Sequence, residues 1–247
     1  MRRTLFFLII LGLCVSFYHL AIAFPKGIPL SDYEFRDTDL ALSKPILKEL
    51  VFLPTSSFEE KDAIKMIKNL EKVDGNILYL AAKESIQIKL FTGSLTNQPG
   101  LSSLKSSKPR GYDETDSYWD KVPGMSDNRV VYAKIGHSEF GNGHGSVSLE
   151  LHEFAHAIDR HVFHYIRLDP VFINIWKQEV KWLFPFRDYF INFPEEYFAE
   201  TFAMFYHNDE THDFLKQEAP LTFKYIQSLE KIAAEQVNNS YYGQADY

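Results

Sequence analysis

The chain has 247 residues, of which 45% are hydrophobic and 24% charged, and its formal net charge is −7 at pH 7. An acidic chain of this kind is a poor partner for nucleic acid, so we expect no nucleic-acid binding. Its single cysteine, Cys14, excludes an intramolecular disulfide.

Residues 1–23 have the features of a secretory signal peptide. Two arginines precede an apolar run from Leu5 to Val15, and Ala21-Ile22-Ala23 forms a small-residue cleavage site. An uncleaved membrane anchor is the alternative, since the apolar stretch approaches the roughly 20 residues that span a bilayer. His19 and the cleavage site favour removal. We therefore expect residues 24–247 to be a secreted, monomeric, single-domain chain without a thiol or a membrane anchor.

Hydrophobic periodicity predicts mixed secondary structure in the first half of the mature chain. Ser57-Phe58-Glu59-Glu60 has the pattern of a capping box, which predicts an amphipathic helix from there to about Val73. The other predicted segments are an extended lead-in at residues 24–43, a short helix from Ile77 to Lys83, strands from Ile86 to Phe91 and from Arg129 to Ile135, and a polar, flexible loop without chemistry from Gly93 to Gly111.

His152-Glu153-Phe154-Ala155-His156 is an H-E-x-x-H sequence in a helix-favouring segment. Residues four apart share one helical face, so His152 and His156 can bind one zinc ion while Glu153 takes a proton from a metal-bound water. Apolar neighbours indicate a buried helix, where an unsatisfied polar group costs about 1–3 kcal/mol. Two solvated histidines on a surface helix are the alternative. We predict a zinc peptidase with one Zn²⁺ per chain.

The second half is predicted to be helical. Its predicted segments are a helix from Asp169-Pro170 to about Leu183, a loop from Phe184 to Phe193, a helix from Pro194 to Tyr206, and a last amphipathic helix from Pro220 to Val237.

Catalytic zinc needs a third protein ligand besides the two histidines. A histidine six residues after the second one is excluded, because Val162 occupies that position. Three acids in the helix after Pro194 are candidates: Glu195, Glu196 and Glu200. Glu196 and Glu200 share a face, so one can bind the metal while the other orients a ligand histidine, and spacing alone leaves their assignment open. We expect Glu195 to be a solvated first-turn charge.

Together, His152-Glu153-Phe154-Ala155-His156-Ala157-Ile158-Asp159 and the downstream Glu196-Tyr197-Phe198-Ala199-Glu200 resemble the metallopeptidase domain of the anthrax lethal factor family, which includes secreted Pro-Pro endopeptidases. The resemblance implies that Glu196 is the third zinc ligand and Glu200 supports a ligand. It also implies that Tyr189, seven residues before Glu196, hydrogen-bonds the oxyanion. Trp119-Asp120-Lys121-Val122-Pro123-Gly124 resembles an element whose tryptophan lines the substrate groove.

The strand from Val130 to Ile135 has two interpretations. As a sheet edge beside the cleft, it can bind an extended peptide through its backbone. As an interior strand, it has no free edge. Trp119 likewise has two interpretations, because a flat aromatic ring suits a proline in the groove but also suits the core.

The sequence therefore predicts an α+β, zincin-like fold: a small mixed sheet with helices in the N-terminal half, the active-site helix in the middle and a helical C-terminal half. The predicted function is a secreted zinc endopeptidase whose partner is an extended peptide segment of an extracellular or cell-surface protein, with Pro-Pro sites as a hypothesis. The alternative is a catalytically inactive, peptidase-like binding module of a secreted toxin or adhesion system.

Overall fold

A computed structural model describes residues 27–36, 40–110 and 118–242, so the predicted signal peptide lies outside the described residues. The strands are β1 (Ile28–Pro29), β2 (Val51–Leu53), β3 (Gln87–Phe91), β4 (Gly124–Asp127) and β5 (Val130–Lys134). The α-helices are α1 (Leu47–Leu50), α2 (Glu60–Glu71), α3 (Gly75–Lys83), α4 (Leu149–Ala157), α5 (Pro170–Leu183), α6 (Asp188–Asn192), α7 (Pro194–His207), α8 (Asp209–Glu218) and α9 (Pro220–Tyr242). Within these described segments, no helix is both long and apolar enough to cross a membrane.

The predicted first amphipathic helix forms, but it begins later than expected. Ala63, Met66, Ile67 and Leu70 are buried at helical spacing on one face of α2. The capping box at Ser57 was wrong, because the backbone is still extended at the N-cap Glu59 and no side chain caps the helix. A side-chain cap is found instead on α3, where Oδ1 of Asp74 accepts hydrogen bonds from the backbone N–H groups of residues 76 and 77.

The five strands of the described chain form one mixed sheet in the order β1-β2-β3-β5-β4. Strands β2, β3 and β5 are parallel, while β1 and β4 pair antiparallel with their neighbours. Both predicted strands are confirmed, as β3 and β5. The order makes β5 an interior strand, so the edge-strand interpretation of residues 130–135 was wrong and β4 is the edge on that side.

The segment from Gly93 to Gly111 was predicted as a flexible loop. Its described part, residues 93–110, packs against the rest of the protein. It contains two 3₁₀ turns, Leu95–Asn97 and Ser102–Ser106. Leu95 and Leu101 are buried with Phe91 of β3 and Tyr132 of β5 in a small hydrophobic cluster that is separate from the main core. This cluster holds the chain in place from Leu95 to Leu104.

The helical half packs around α4 and α7, which lie against each other. Glu179 of α5 is buried and accepts hydrogen bonds of 2.8 Å from the backbone N–H groups of Leu221 and Thr222 at the start of α9. Thr222 is in turn 2.7 Å from the hydroxyl of Tyr197 on α7. These contacts fix α7 relative to its neighbours, since a buried carboxylate needs each of its partners.

Two details of the helical half differ from the sequence prediction. Residues 184–193 were predicted as a loop, but Tyr189 lies in the short helix α6. Helix α8 was not predicted, because Leu215 is its only fully buried residue and the apolar signal is weak. The helices at α5, α7 and α9 and the α+β fold class are confirmed.

Candidate active site

His152, His156 and Glu196 converge between α4 and α7. The Nε2 atoms of both histidines lie 3.3 Å from the same oxygen, Oε2 of Glu196. One ligand atom from each residue lies within 4.8 Å of the others. The two imidazoles share one face of α4 because their spacing is four residues, whereas the carboxylate arrives from a helix that begins 42 residues after His152.

Glu200, one turn after Glu196, contacts the other side of His152. Its Oε2 lies 3.1 Å from Nδ1 of His152, and its Oε1 accepts a 3.0 Å hydrogen bond from the backbone N–H of Val147. With Nδ1 held in this way, Nε2 of His152 is directed toward His156 and Glu196. The helical spacing left open which of the two glutamates faces the metal position. The structure distinguishes them, because Glu196 contacts Nε2 of both histidines whereas Glu200 contacts only Nδ1 of His152.

The charges of this cluster are strongly coupled. Burial by itself lowers the pKa of His152, but the hydrogen bonds to Glu196 and Glu200 outweigh it and raise that pKa to about 10. Burial raises the pKa of Glu196, but His156 and His152 outweigh it and hold this pKa far below its usual range. Glu196 is therefore a carboxylate at neutral pH. A protonated His152 cannot bind a metal, so zinc would bind with release of that proton, and two imidazole nitrogens with one carboxylate oxygen are a donor set that zinc accepts.

Glu153 lies beside the cluster, directly under the edge strand β4. A Cβ placed on Gly124 would lie 2.9 Å from Cγ of Glu153 and 2.6 Å from Cδ1 of Leu149, so β4 approaches α4 closely at the one residue without a side chain. Burial raises the pKa of the Glu153 carboxyl, and this effect is partly opposed by His152 and His156. A carboxylate with a raised pKa is a better proton acceptor than a solvated one.

Tyr189 faces the same cluster from α6. Burial raises the pKa of its hydroxyl, and the Glu196 carboxylate raises it further. The phenol therefore stays protonated at neutral pH and can donate a hydrogen bond. Its ring packs edge-on against Phe190 and Phe193, with centroids 5.8 Å and 5.7 Å away.

Arg110 was missed by sequence reasoning, which assigned no chemistry to its segment. Its Nη2 lies 2.8 Å from Oε1 of Glu196 and its Nη1 lies 2.9 Å from Oε1 of Glu195. The guanidinium also stacks on Phe193, 4.0 Å from the ring centroid. Glu195 is therefore a buried, paired residue, and the expectation of a solvated charge was wrong. No local pattern in the sequence reveals Arg110, because its partners are 85 and 86 residues away.

The site opens into a cleft of about 570 Å³. Trp119, Gly124 and Met125 line one side, and Glu153, Tyr189 and Glu196 lie within it. Trp119 is half-buried and also packs against the small cluster that contains Phe91, and its contact with a substrate proline stays a prediction. All seven of the predicted site residues line this cleft.

His144 also lines the cleft, but both of its ring nitrogens are engaged within its own loop. Nε2 lies 2.7 Å from the carbonyl oxygen of His137, and Nδ1 accepts a 3.1 Å hydrogen bond from the backbone N–H of Ser146. Burial lowers its pKa. These bonds hold the glycine-rich loop in place. The loop continues to Val147, whose backbone N–H donates to Glu200.

The comparisons with known proteins agree with this geometry. The family model described as anthrax toxin lethal factor, N- and C-terminal domain, matches residues 37–229. The chain is 39% identical to a Pro-Pro endopeptidase of Paenibacillus alvei over 189 residues, which are 76% of this chain and 87% of the relative. It is 35% identical to a Pro-Pro endopeptidase of Clostridioides difficile over 206 residues, 83% of this chain and 92% of the relative. A solved structure of the Pro-Pro endopeptidase from Paenibacillus alvei matches with a TM-score of 0.71 and 40% identity, over 74% of this chain and 99% of that chain.

Proposed function

This chain belongs to the anthrax lethal factor family and is a metalloendopeptidase, and we propose that it is a secreted zinc enzyme that cuts extended peptide segments at Pro-Pro sites. One observation carries the zinc proposal: His152, His156 and Glu196 place three suitable donor atoms within 4.8 Å of one another. The Pro-Pro proposal rests on the two relatives that carry this name. The signal peptide predicted at residues 1–23 supports secretion.

We propose that His152, His156 and Glu196 hold one zinc ion, with Glu200 orienting His152. A bound zinc ion supplies a Lewis acid and lowers the pKa of a water molecule toward neutrality. Glu153 accepts the proton of the attacking water and passes it to the leaving amine, which agrees with its burial beside the cluster. Tyr189 donates a hydrogen bond to the carbonyl oxygen as that oxygen gains negative charge.

The proposed peptide site is the edge of the sheet. Strand β4 has one unpaired edge within the described sheet, and Gly124 and Met125 of this strand line the cleft beside Glu153. An extended peptide can bind such an edge through backbone hydrogen bonds. The glycine in this strand allows another backbone to come close. Trp119 provides an aromatic surface at the rim for a proline ring.

The test is peptide cleavage by the purified mature chain, residues 24–247, with Glu153→Ala as control. We expect zinc at one equivalent per chain by elemental analysis, cleavage of library peptides between two prolines, and loss of about 10²- to 10⁴-fold in turnover for the variant. Cleavage without any proline preference would contradict the Pro-Pro proposal alone. The alternative of an inactive binding module predicts bound zinc with no cleavage of any peptide.

A further inference from the structure

The lining of the cleft is less acidic than the chain as a whole. The chain has a net charge of −7, yet four arginines line the cleft: Arg110, Arg160, Arg167 and Arg187. The acids among the described lining residues are four glutamates, and no aspartate or lysine is found there. The four arginines balance the four glutamates in charge. A bound divalent cation would therefore give the cleft a net positive charge.

Two of these arginines are already neutralised by fixed partners. Arg110 contacts Glu195 and Glu196 as described above. Nε of Arg167 lies 2.6 Å from Oδ2 of the buried Asp159, and its Nη1 lies 3.8 Å from Glu195. Their charges are therefore used within the protein.

The other two arginines, Arg160 and Arg187, contact no carboxylate in the part of the chain that the structure describes. Arg187 is exposed, lies 5.4 Å from the Phe190 ring centroid, and extends to Gly145, where an added Cβ would be 3.2 Å from Nη2. Arg160 is half-buried on the cleft wall. Both side chains thus line the cleft without a carboxylate partner among the described residues, although a carboxylate is the ligand that matches the geometry of a guanidinium.

These two arginines lie at opposite ends of the catalytic cluster. Arg160 is four residues after His156 and eight after His152, which corresponds to about 12 Å along a helix. Arg187 reaches Gly145 at the other end, two residues before Val147, whose N–H binds Glu200. An extended peptide advances about 3.3 Å per residue, so a span of about four residues or more separates the two charges.

We propose that Arg160 and Arg187 select substrates with acidic side chains on the two sides of the scissile bond, each arginine binding a carboxylate on one side. This inference rests on the proposed endopeptidase function and specifies its substrate class. A nucleic-acid ligand is disfavoured because the chain as a whole is acidic and the two arginines are isolated rather than part of a basic patch.

The experiment uses four peptides with one Pro-Pro core: uncharged flanks, an acidic residue before the core, an acidic residue after it, and lysine on both sides. We expect kcat/KM of the zinc-loaded mature chain to be about 3- to 10-fold higher for each acidic peptide than for the uncharged one, and lower for the lysine peptide. Because the contacts are electrostatic and partly exposed, 0.5 M salt should reduce these ratios.

Variants assign each arginine to one flank. The ratio of kcat/KM for an acidic peptide to kcat/KM for the uncharged peptide is measured in Arg160→Gln and in Arg187→Gln. In each variant this ratio should fall to near one for the acidic residue on one flank only, and the two variants should affect different flanks. Using ratios within one variant removes the effect of any misfolded fraction. Arg187→Glu should favour the lysine peptide over the acidic one. Lys224→Gln removes one charge from an exposed position on α9 and should leave all four rates unchanged.

The outcomes separate this inference from the proposed function. Equal rates for all cleaved peptides, or an acidic preference that survives in the Arg160→Gln/Arg187→Gln double variant, would overturn the charge-selection inference while leaving the endopeptidase intact. If the wild type cut none of the four peptides, the Pro-Pro proposal and this inference would both be wrong.

Discussion

The two sides of the cleft are built differently. The helical wall, formed by His152, His156, Tyr189, Glu196 and Glu200 on α4, α6 and α7, packs against a continuous hydrophobic core. The outer wall consists of Trp119 and Gly124, which lie on a small separate cluster and the edge strand, and of Arg110, which is held by Glu195, Glu196 and Phe193. Groups that need sub-ångström placement are on the packed helices, and groups that meet a variable peptide are on the side with fewer buried contacts.

This difference predicts that changes in the helical wall alter chemistry or metal affinity, whereas changes in the outer wall alter peptide binding. The four variants below test it.

Tyr189→Phe should show the largest effect. Removing one hydrogen-bond donor to a developing oxyanion lowers kcat by about 10²- to 10³-fold. Zinc content should stay at the wild-type level, because the hydroxyl is not a ligand, and elemental analysis checks this. A variant that kept kcat within threefold would show that Tyr189 is only a packing residue among Phe190 and Phe193.

Glu200→Gln should weaken zinc binding by about 10- to 100-fold, the range for residues that orient a ligand histidine. The amide keeps the size of the side chain but loses the charge that faces Nδ1 of His152. Competition with a chelator of known affinity measures the change. Glu210→Gln, on the exposed side of α8, is the matched control and should bind zinc as the wild type does.

Gly124→Ala should lower kcat/KM by about tenfold, because the new methyl group must displace Leu149 or Glu153 and a small misplacement of a catalytic group is costly. Gly75→Ala is the control, because an added Cβ there has no heavy atom within 4 Å. Crystals of the Gly124→Ala protein with Glu153 unmoved and full activity would contradict the expected contact.

Arg110→Gln should have the smallest effect, about threefold to tenfold in kcat/KM, since the side chain is half-exposed and its ion pairs are partly screened. If the outer wall acts mainly in peptide binding, KM should rise more than kcat falls. Arg110→Lys should restore less than half of the loss, because a lysine cannot contact Glu195 and Glu196 with the planar fork of a guanidinium. A change confined to kcat would place Arg110 functionally with the helical wall.

Local patterns predicted the helical wall well. The spacing of His152 and His156, and of Glu196 and Glu200, follows from the helical repeat, so the sequence could place each pair on one face. The family resemblance, now confirmed, pointed to Glu196 as the ligand, and the structure brings that residue to both histidines. The roles of these residues remain predictions until the metal and the kinetics are measured.

The outer wall could not be predicted in the same way. The pattern of residues 130–135 is the same for an edge and an interior strand, and only the pairing of β4 decides between them. Gly124 carries no side chain to signal its contact with Glu153, and Arg110 lies in a polar segment that resembles an ordinary loop.

The sequence by itself determined the helix faces, the metal-binding residue types, the acidic charge and the α+β class, because each of these depends on neighbours within one or two turns or on composition. Only the tertiary structure decided the edge strand, the burial of Glu195, the contacts of Arg110 and the positions of Arg160 and Arg187. Those features depend on pairs of residues far apart in the chain, whose proximity is set by packing and leaves no periodic trace in the sequence.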